Sequence, residues 1–128
     1  MERVLGRFSP YLYAVLRIVA GLLFAAHGAQ KVLGVFGGQQ VPVLSQFWIA
    51  GAIELVGGIL IAIGLLTGVA AFVCSGEMAA AYFMAHAPRG PNPVQNGGEL
   101  SVIYSFLFLY VASRGAGVWG LDRGGRRG

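Results

Sequence analysis

The sequence predicts an all-α membrane protein: a four-transmembrane-helix bundle with its N- and C-termini cytoplasmic. Three observations lead there. Of the 128 residues, 56% are hydrophobic and only 11% charged, with a mean hydropathy of +0.70. A soluble domain of this length needs far more charge on its surface. Four apolar segments of about 17 to 23 residues are each long enough to cross a bilayer as helix. The 21 glycines lie among Leu, Ile, Val and Ala, where they let membrane helices approach closely. A length of 128 residues suits one bundle without a soluble domain, so residues 1–128 are expected to form a single domain.

The first segment, residues 11–33, follows Arg3 and Arg7. Its apolar run is too long for a signal-peptide core and no small-x-small site follows, so it is expected to be retained as a helix. Residues 34–46, with Gly37-Gly38 and Pro42, form a loop. The second and third segments, residues 47–66 and 68–86, meet almost directly at Thr67-Gly68, which requires a tight antiparallel hairpin. Pro88 ends the third segment, and the turn Asn96-Gly97-Gly98 opens the fourth, residues 98–114. Four crossings put both termini on one side, with Arg3, Arg7, Arg114, Arg123, Arg126 and Arg127. The other side carries Lys31 and Arg89, so the Lys/Arg bias assigns the termini to the cytoplasm. The Gly-rich arginine tail suits an anionic leaflet rather than nucleic acid.

An ionisable group within a bilayer costs at least a few kcal/mol unless it is paired. This chain carries Arg17, His27, Glu54, Glu77 and His86 within its apolar segments, with Lys31 and Glu99 at their edges. On the first segment Tyr13, Arg17, Ala20, Gly21, Phe24, His27, Gly28 and Lys31 recur at helical spacing and share a face. Glu54 shares its face with Ala50, Gly51, Gly57 and Gly58, too poor in apolar bulk to prefer lipid. Cys74, Glu77 and Ala81 form a small inward face on the third segment. At 1.5 Å per residue, His27 and Glu54 lie roughly 10 Å below the outer boundary, with Glu77 slightly deeper. His27, Lys31, Glu54, Glu77, His86 and Glu99 are therefore expected to share a cavity in the outer half. Gln30 and Asn96 would supply further hydrogen bonds, and Arg17 would brace the cytoplasmic end in a structural ion pair.

The lone Cys74 excludes an internal disulfide and multi-cysteine metal sites, and suits packing better than nucleophilic chemistry. No tight ligand spacing for a metal is present, and no haem, flavin or iron–sulfur motif. Tyr82, Phe83, Tyr104, Phe106, Phe108 and Tyr110 serve packing, with a subset able to line a slot for a flat ring.

Four fragments in order and spacing carry a family resemblance: L-R-I-V-A-G-L-L-F-A-A-H-G-A-Q-K at 16–31, E-L-V-G-G-I-L-I-A-I-G-L-L-T at 54–67, E-M-A-A-A-Y-F-M-A-H-A-P-R-G at 77–90 and N-G-G-E-L at 96–100. Together they resemble the DoxX family of small four-helix membrane proteins. The resemblance implies a redox-associated, multi-pass protein of the bacterial inner membrane, related to subunits of thiosulfate:quinone oxidoreductase and to proteins of oxidative-stress defence. The expected function is that of a subunit meeting quinone, or an electron-carrying protein partner, at the outer-half cavity. His27, Lys31, Glu54 and Glu77 would donate or relay protons, and Gln30, His86, Asn96 and Glu99 would help bind the quinone. A homo-oligomer is compatible with these small-residue faces. The alternative is a non-catalytic accessory subunit whose buried charges set helix packing. A proton or solute pathway is disfavoured, because Arg17 stands almost alone toward the cytoplasm.

Overall fold

The computed structural model describes residues 1–122, and its regular elements are all helical, with no strand among the described residues. Arg123, Arg126 and Arg127, expected to form a tail, lie outside the described residues. The first long helix, Ser9–Leu33, is preceded by the short helical turns Glu2–Leu5 and Gly6–Phe8. It ends at Gly34, whose φ of 72° is the left-handed conformation that lets its N–H bond back to Gln30. The second helix, Gln46–Ile63, begins where the Ser45 side chain accepts from the Trp48 N–H at 3.2 Å. It stops at Gly64, φ 73°, so the hairpin turn falls at 64–66 and Thr67 already belongs to the third helix, Thr67–Ala81. Hydropathy runs past that stop because Leu65 and Leu66 are apolar turn residues.

The third helix continues into a π-helical turn, Tyr82–His86, and a 3₁₀ turn, Ala87–Arg89, where Pro88 ends the run. A short helix, Pro93–Asn96, leads to the fourth long helix, Glu99–Arg114. Three continuous stretches, Glu2–Leu33, Gln46–Ile63 and Thr67–Arg89, are long and apolar enough to cross a membrane. The fourth helix has 16 residues and would reach about 24 Å, less than the hydrocarbon thickness of a typical bilayer. Large apolar side chains such as Leu22, Leu23, Val56, Val69, Phe72 and Phe106 are exposed on the outside of the bundle.

Glycine contacts set the pairing of the first two helices. A Cβ on Gly28 would strike the backbone of Gly51 and Leu55, and one on Gly21 that of Gly58 and Ala62. Gly28 thus faces Gly51 while Gly21 faces Gly58; the order reverses, so the helices run antiparallel in close contact. Across the other pair, the Ser75 hydroxyl donates to the Ser105 carbonyl at 2.7 Å and the Ser105 hydroxyl to the Ser75 carbonyl at 3.1 Å. Each hydroxyl thereby satisfies itself on the facing helix instead of its own. The pairs meet at an aromatic cluster, with the Phe24 ring 5.1 Å from Tyr104 and 4.8 Å from Phe108, and Tyr104 stacked on Phe108 at 5.4 Å.

The N-terminal turns, the 64–66 turn and the close of the fourth helix lie at one end of the bundle, where the segment after the fourth helix folds back. Leu121 and Asp122 donate their N–H groups to the carbonyls of Ile63 and Gly64 at 3.1 and 2.7 Å. The Asp122 carboxylate accepts from the N–H groups of Leu66 and Thr67 at 2.7 and 2.9 Å, taking up donors that open the third helix. Arg17, fully buried, completes this end, but not through the ion pair expected from the sequence. Its guanidinium donates to the carbonyls of Ile61 and Ala62, both at 2.8 Å, and to those of Val118 and Trp119 at 3.2 and 3.1 Å. The carbonyls at the end of the second helix have lone pairs to spare, Ile61 accepting otherwise only from the capping Gly64 N–H at 3.2 Å, and carry the negative end of its dipole, so a carboxylate is not needed there.

Candidate functional site

A cavity of about 140 Å³ opens between the first, second, third and fourth helices. Phe24 and Tyr104 form an aromatic wall and Met78 and Leu100 add apolar surface. The polar lining is His27, Lys31, Glu54 and Ser101. Glu54 is almost completely buried, at 1% exposure, and both its oxygens accept from the Lys31 ammonium, at 3.0 and 2.9 Å. The second helix places Glu54 here because its face of Gly51, Gly57 and Gly58 presses inward, turning the carboxylate toward the first helix. Lys31 sits one turn beyond His27, and its flexible stem carries the ammonium down to the carboxylate with about a third of the side chain still exposed.

Glu77 stands beside this pair, its carboxyl against that of Glu54. Its buried Oε1 has no hydrogen-bond partner among the described residues. The cluster therefore joins two carboxyl groups to one ammonium, with a histidine at the edge. His27 itself is exposed and packs edge-on to the Tyr104 ring at 6.4 Å, so it stands where the cavity meets the outside of the bundle. Cys74, fully buried, lies one turn from Glu77 with its sulfur against Gly57. It fills the space that the missing glycine side chain leaves. Among the described residues no three His, Cys, Asp or Glu side chains converge to hold a metal ion.

The other residues expected at the cavity are elsewhere. Gln30 donates to the Phe36 carbonyl at 3.0 Å and packs against Gly38, holding the loop after the first helix. Asn96 is buried and knits the loop before the fourth helix: its amide nitrogen donates to the Tyr82 hydroxyl at 3.0 Å and the Gly90 carbonyl at 2.9 Å, and its oxygen accepts from the Gly98 N–H at 2.8 Å. The His86 ring joins this group through Nδ1, 3.4 Å from the Asn96 carbonyl oxygen. Glu99 is exposed in the first turn of the fourth helix. All four stand at the end of the bundle expected for the cavity, but Gln30 is spent on the loop after the first helix, His86 and Asn96 on the Pro-rich connection, and Glu99 is exposed. Met78, Leu100 and Ser101 were not singled out from the sequence. Ser101, Tyr104 and Phe108 do recur at helical spacing, a signal masked by the apolar residues around the whole fourth helix.

The chain is 44% identical over 125 residues to an uncharacterized protein of Haemophilus influenzae, covering 92% of this chain and 93% of that one. No solved structure matches it. The DoxX family model matches residues 12–87, which span the first three long helices and contain His27, Lys31, Glu54 and Glu77 but not the cavity wall from the fourth helix. The chain belongs to the DoxX family.

Proposed function

We propose that this membrane protein works as a redox-associated subunit, meeting quinone or an electron-carrying protein partner at the cavity around Lys31 and Glu54. The observation that carries the reading is the bidentate Lys31–Glu54 pair inside an aromatic wall, with the unpartnered Glu77 oxygen beside it. A packing device needs one carboxylate for one ammonium, whereas the second carboxyl, set against Glu54 with its Oε1 unbonded among the described residues, is a group available to hold or pass a proton. Lys31 and His27 are donors able to face a carbonyl oxygen, Phe24 and Tyr104 offer flat faces, and Ser101 adds a hydroxyl. A bound quinone would supply the electron-accepting ring and two carbonyl oxygens. A cavity of about 140 Å³ is smaller than the roughly 300 Å³ at which drug-sized sites begin, so it suits one ring entering from the His27 side with its tail left in lipid.

The arginines at the end that holds the N-terminal turns and the close of the fourth helix, Arg3, Arg7 and Arg114, favour that end as the cytoplasmic one, in a bacterial inner membrane. The alternative, an accessory subunit without redox chemistry, is favoured by the complete satisfaction of Glu54 by Lys31, which by itself fixes the register of two helices. Extraction of protein purified in a mild detergent, followed by mass spectrometry of the organic phase, separates the two. Quinone at near-stoichiometric amounts, falling several-fold in Glu77→Gln and His27→Ala at unchanged protein yield, is the expected result. Ordinary lipid alone in the extract, or quinone unaffected by either substitution, leaves the accessory role.

A further inference from the structure

At the opposite end of the bundle, a groove of about 650 Å³ runs between the N-terminal turns with the start of the first helix and the end of the fourth. Its apolar lining is Leu5, Leu12 and Leu16, and Ser9 lies between them with only a small hydroxyl. Arg114 stands in this groove, its guanidinium 4.9 Å from the centre of the Tyr13 ring and 5.9 Å from that of Tyr110. One of its nitrogens, Nη1, donates to the Tyr110 hydroxyl at 2.9 Å. Tyr13 is anchored in turn, its hydroxyl donating to the Gly115 carbonyl at 2.7 Å.

The opposite edge of that guanidinium meets no acceptor among the described residues. Nε is buried and has no partner among the described residues, and no carboxylate among them pairs with Arg114. Glu2, which also lines the groove, is fully exposed and pairs with the chain's own N-terminal amine at 3.5 Å. Two aromatic rings thus hold a planar cation in one orientation at the head of an apolar channel, with part of its donor set unused. Arg3 and Arg7 lie on the adjoining turns, adding positive charge without a counter-ion from the described residues.

We propose that this groove binds an anionic phospholipid, with its phosphate on Arg114 and an acyl chain along Leu5, Leu12 and Leu16. The charge pattern selects the occupant. A guanidinium fixed on aromatic faces pairs with a phosphate more strongly than a mobile lysine does, and the leucines offer an acyl chain a continuous apolar surface beside it. A zwitterionic lipid fills the same channel but brings a cation next to Arg114, so discrimination comes from the headgroup. The site is independent of the cavity at Lys31 and Glu54, and its test does not involve redox activity.

The test is native mass spectrometry of the full chain in mild detergent, titrated with phosphatidylglycerol or with phosphatidylcholine of the same acyl chains. The wild type is expected to bind phosphatidylglycerol about tenfold more tightly, the size of one charge-assisted contact. Arg114→Gln should bring the two lipids to parity, and Arg3→Gln with Arg7→Gln should retain most of the preference. Ser9→Trp fills the channel while leaving every charge in place, and should also remove the preference; it serves as the test if Arg114→Gln does not fold. Equal binding of both lipids by the wild type overturns the proposal. So does a preference that survives either Arg114→Gln or Ser9→Trp in folded protein. Loss of the preference when inorganic phosphate is added at the lipid concentration also overturns it, since the channel would then contribute nothing.

Discussion

Lys31 and Glu54 show how much depends on where a single charge is placed. The carboxylate is 1% exposed while a third of the lysine side chain reaches outward, so the two residues are not equivalent. Replacing Lys31 with Met strands a charge that has no route to solvent, at an expected cost of about 3 kcal/mol. Glu54→Gln removes the buried charge and leaves a lysine able to turn outward, so it should cost distinctly less. The double variant Lys31→Met with Glu54→Gln should recover more than half of the loss from Lys31→Met. Unfolding of all four proteins in the same detergent forms the double-mutant cycle that checks this; additive losses would mean that the pair contributes no coupling. Glu77 differs from both. Its unpartnered oxygen makes it a poor stabiliser, which is why its removal is a test of function rather than of folding.

Among the helices, glycine has opposite meanings at positions that look alike in the sequence. Gly28 lies against the backbone of Gly51 and Leu55, whereas a Cβ on Gly76 meets nothing within 4 Å. Gly28→Ala forces the first two helices apart and is expected to destabilise by about 1–3 kcal/mol, the usual cost of overpacking. Because that movement would also separate Lys31 from Glu54, the loss should reach the candidate site. Gly76→Ala, within the third helix, removes backbone freedom without a clash and should be neutral or stabilising by up to about 1 kcal/mol. Thermal unfolding of the two variants side by side checks the assignment; equal effects would mean that the Gly28 contact is not tight. The same close approach explains why the first two helices, with few large buried side chains, can still carry a charged pair between them. Backbone meets backbone there, and the longer side chains are left to the edges.

Over the whole molecule, the turn-back of the C-terminal segment joins three parts of the chain at one end. Asp122 caps the third helix, and burial there would raise its carboxyl, but the Thr67 and Leu66 N–H groups and the Arg17 charge outweigh burial and hold it below its ordinary 3.8. A carboxyl lowered on folding stabilises the protein fully above its unfolded value, and that contribution is lost as pH falls through 3.8 toward the folded value. Asp122→Ala should therefore cost about 1 kcal/mol at neutral pH and progressively less below pH 4. Unfolding measured for both proteins across that range should show the curves converging on the acid side. A constant gap would mean that the carboxylate is not the capping group. The four carbonyl oxygens that accept from Arg17 do not titrate, so any pH dependence of its contribution comes only through the Asp122 charge.

Length and hydropathy alone determined the four long helices of this protein to within a few residues, because a lipid-facing helix must satisfy its own backbone and be apolar over its length. They also determined that Glu54 turns inward, since a face of Gly51, Gly57 and Gly58 offers lipid nothing to pack against. The choice of partners was not legible. Gln30, His86, Asn96 and Glu99 lie at the right height for the cavity, but height along a helix does not specify rotation about it or the competing demands of a loop. Only the tertiary structure gave Lys31 to Glu54, set the Glu77 carboxyl against that of Glu54, and set carbonyl oxygens around Arg17 in place of an acid. It also brought Ala116–Asp122 back over the turn at 64–66, a connection across more than fifty residues. Local pattern reports what each segment needs from its surroundings; only packing decides which group supplies it, because several candidates of similar polarity compete for each place.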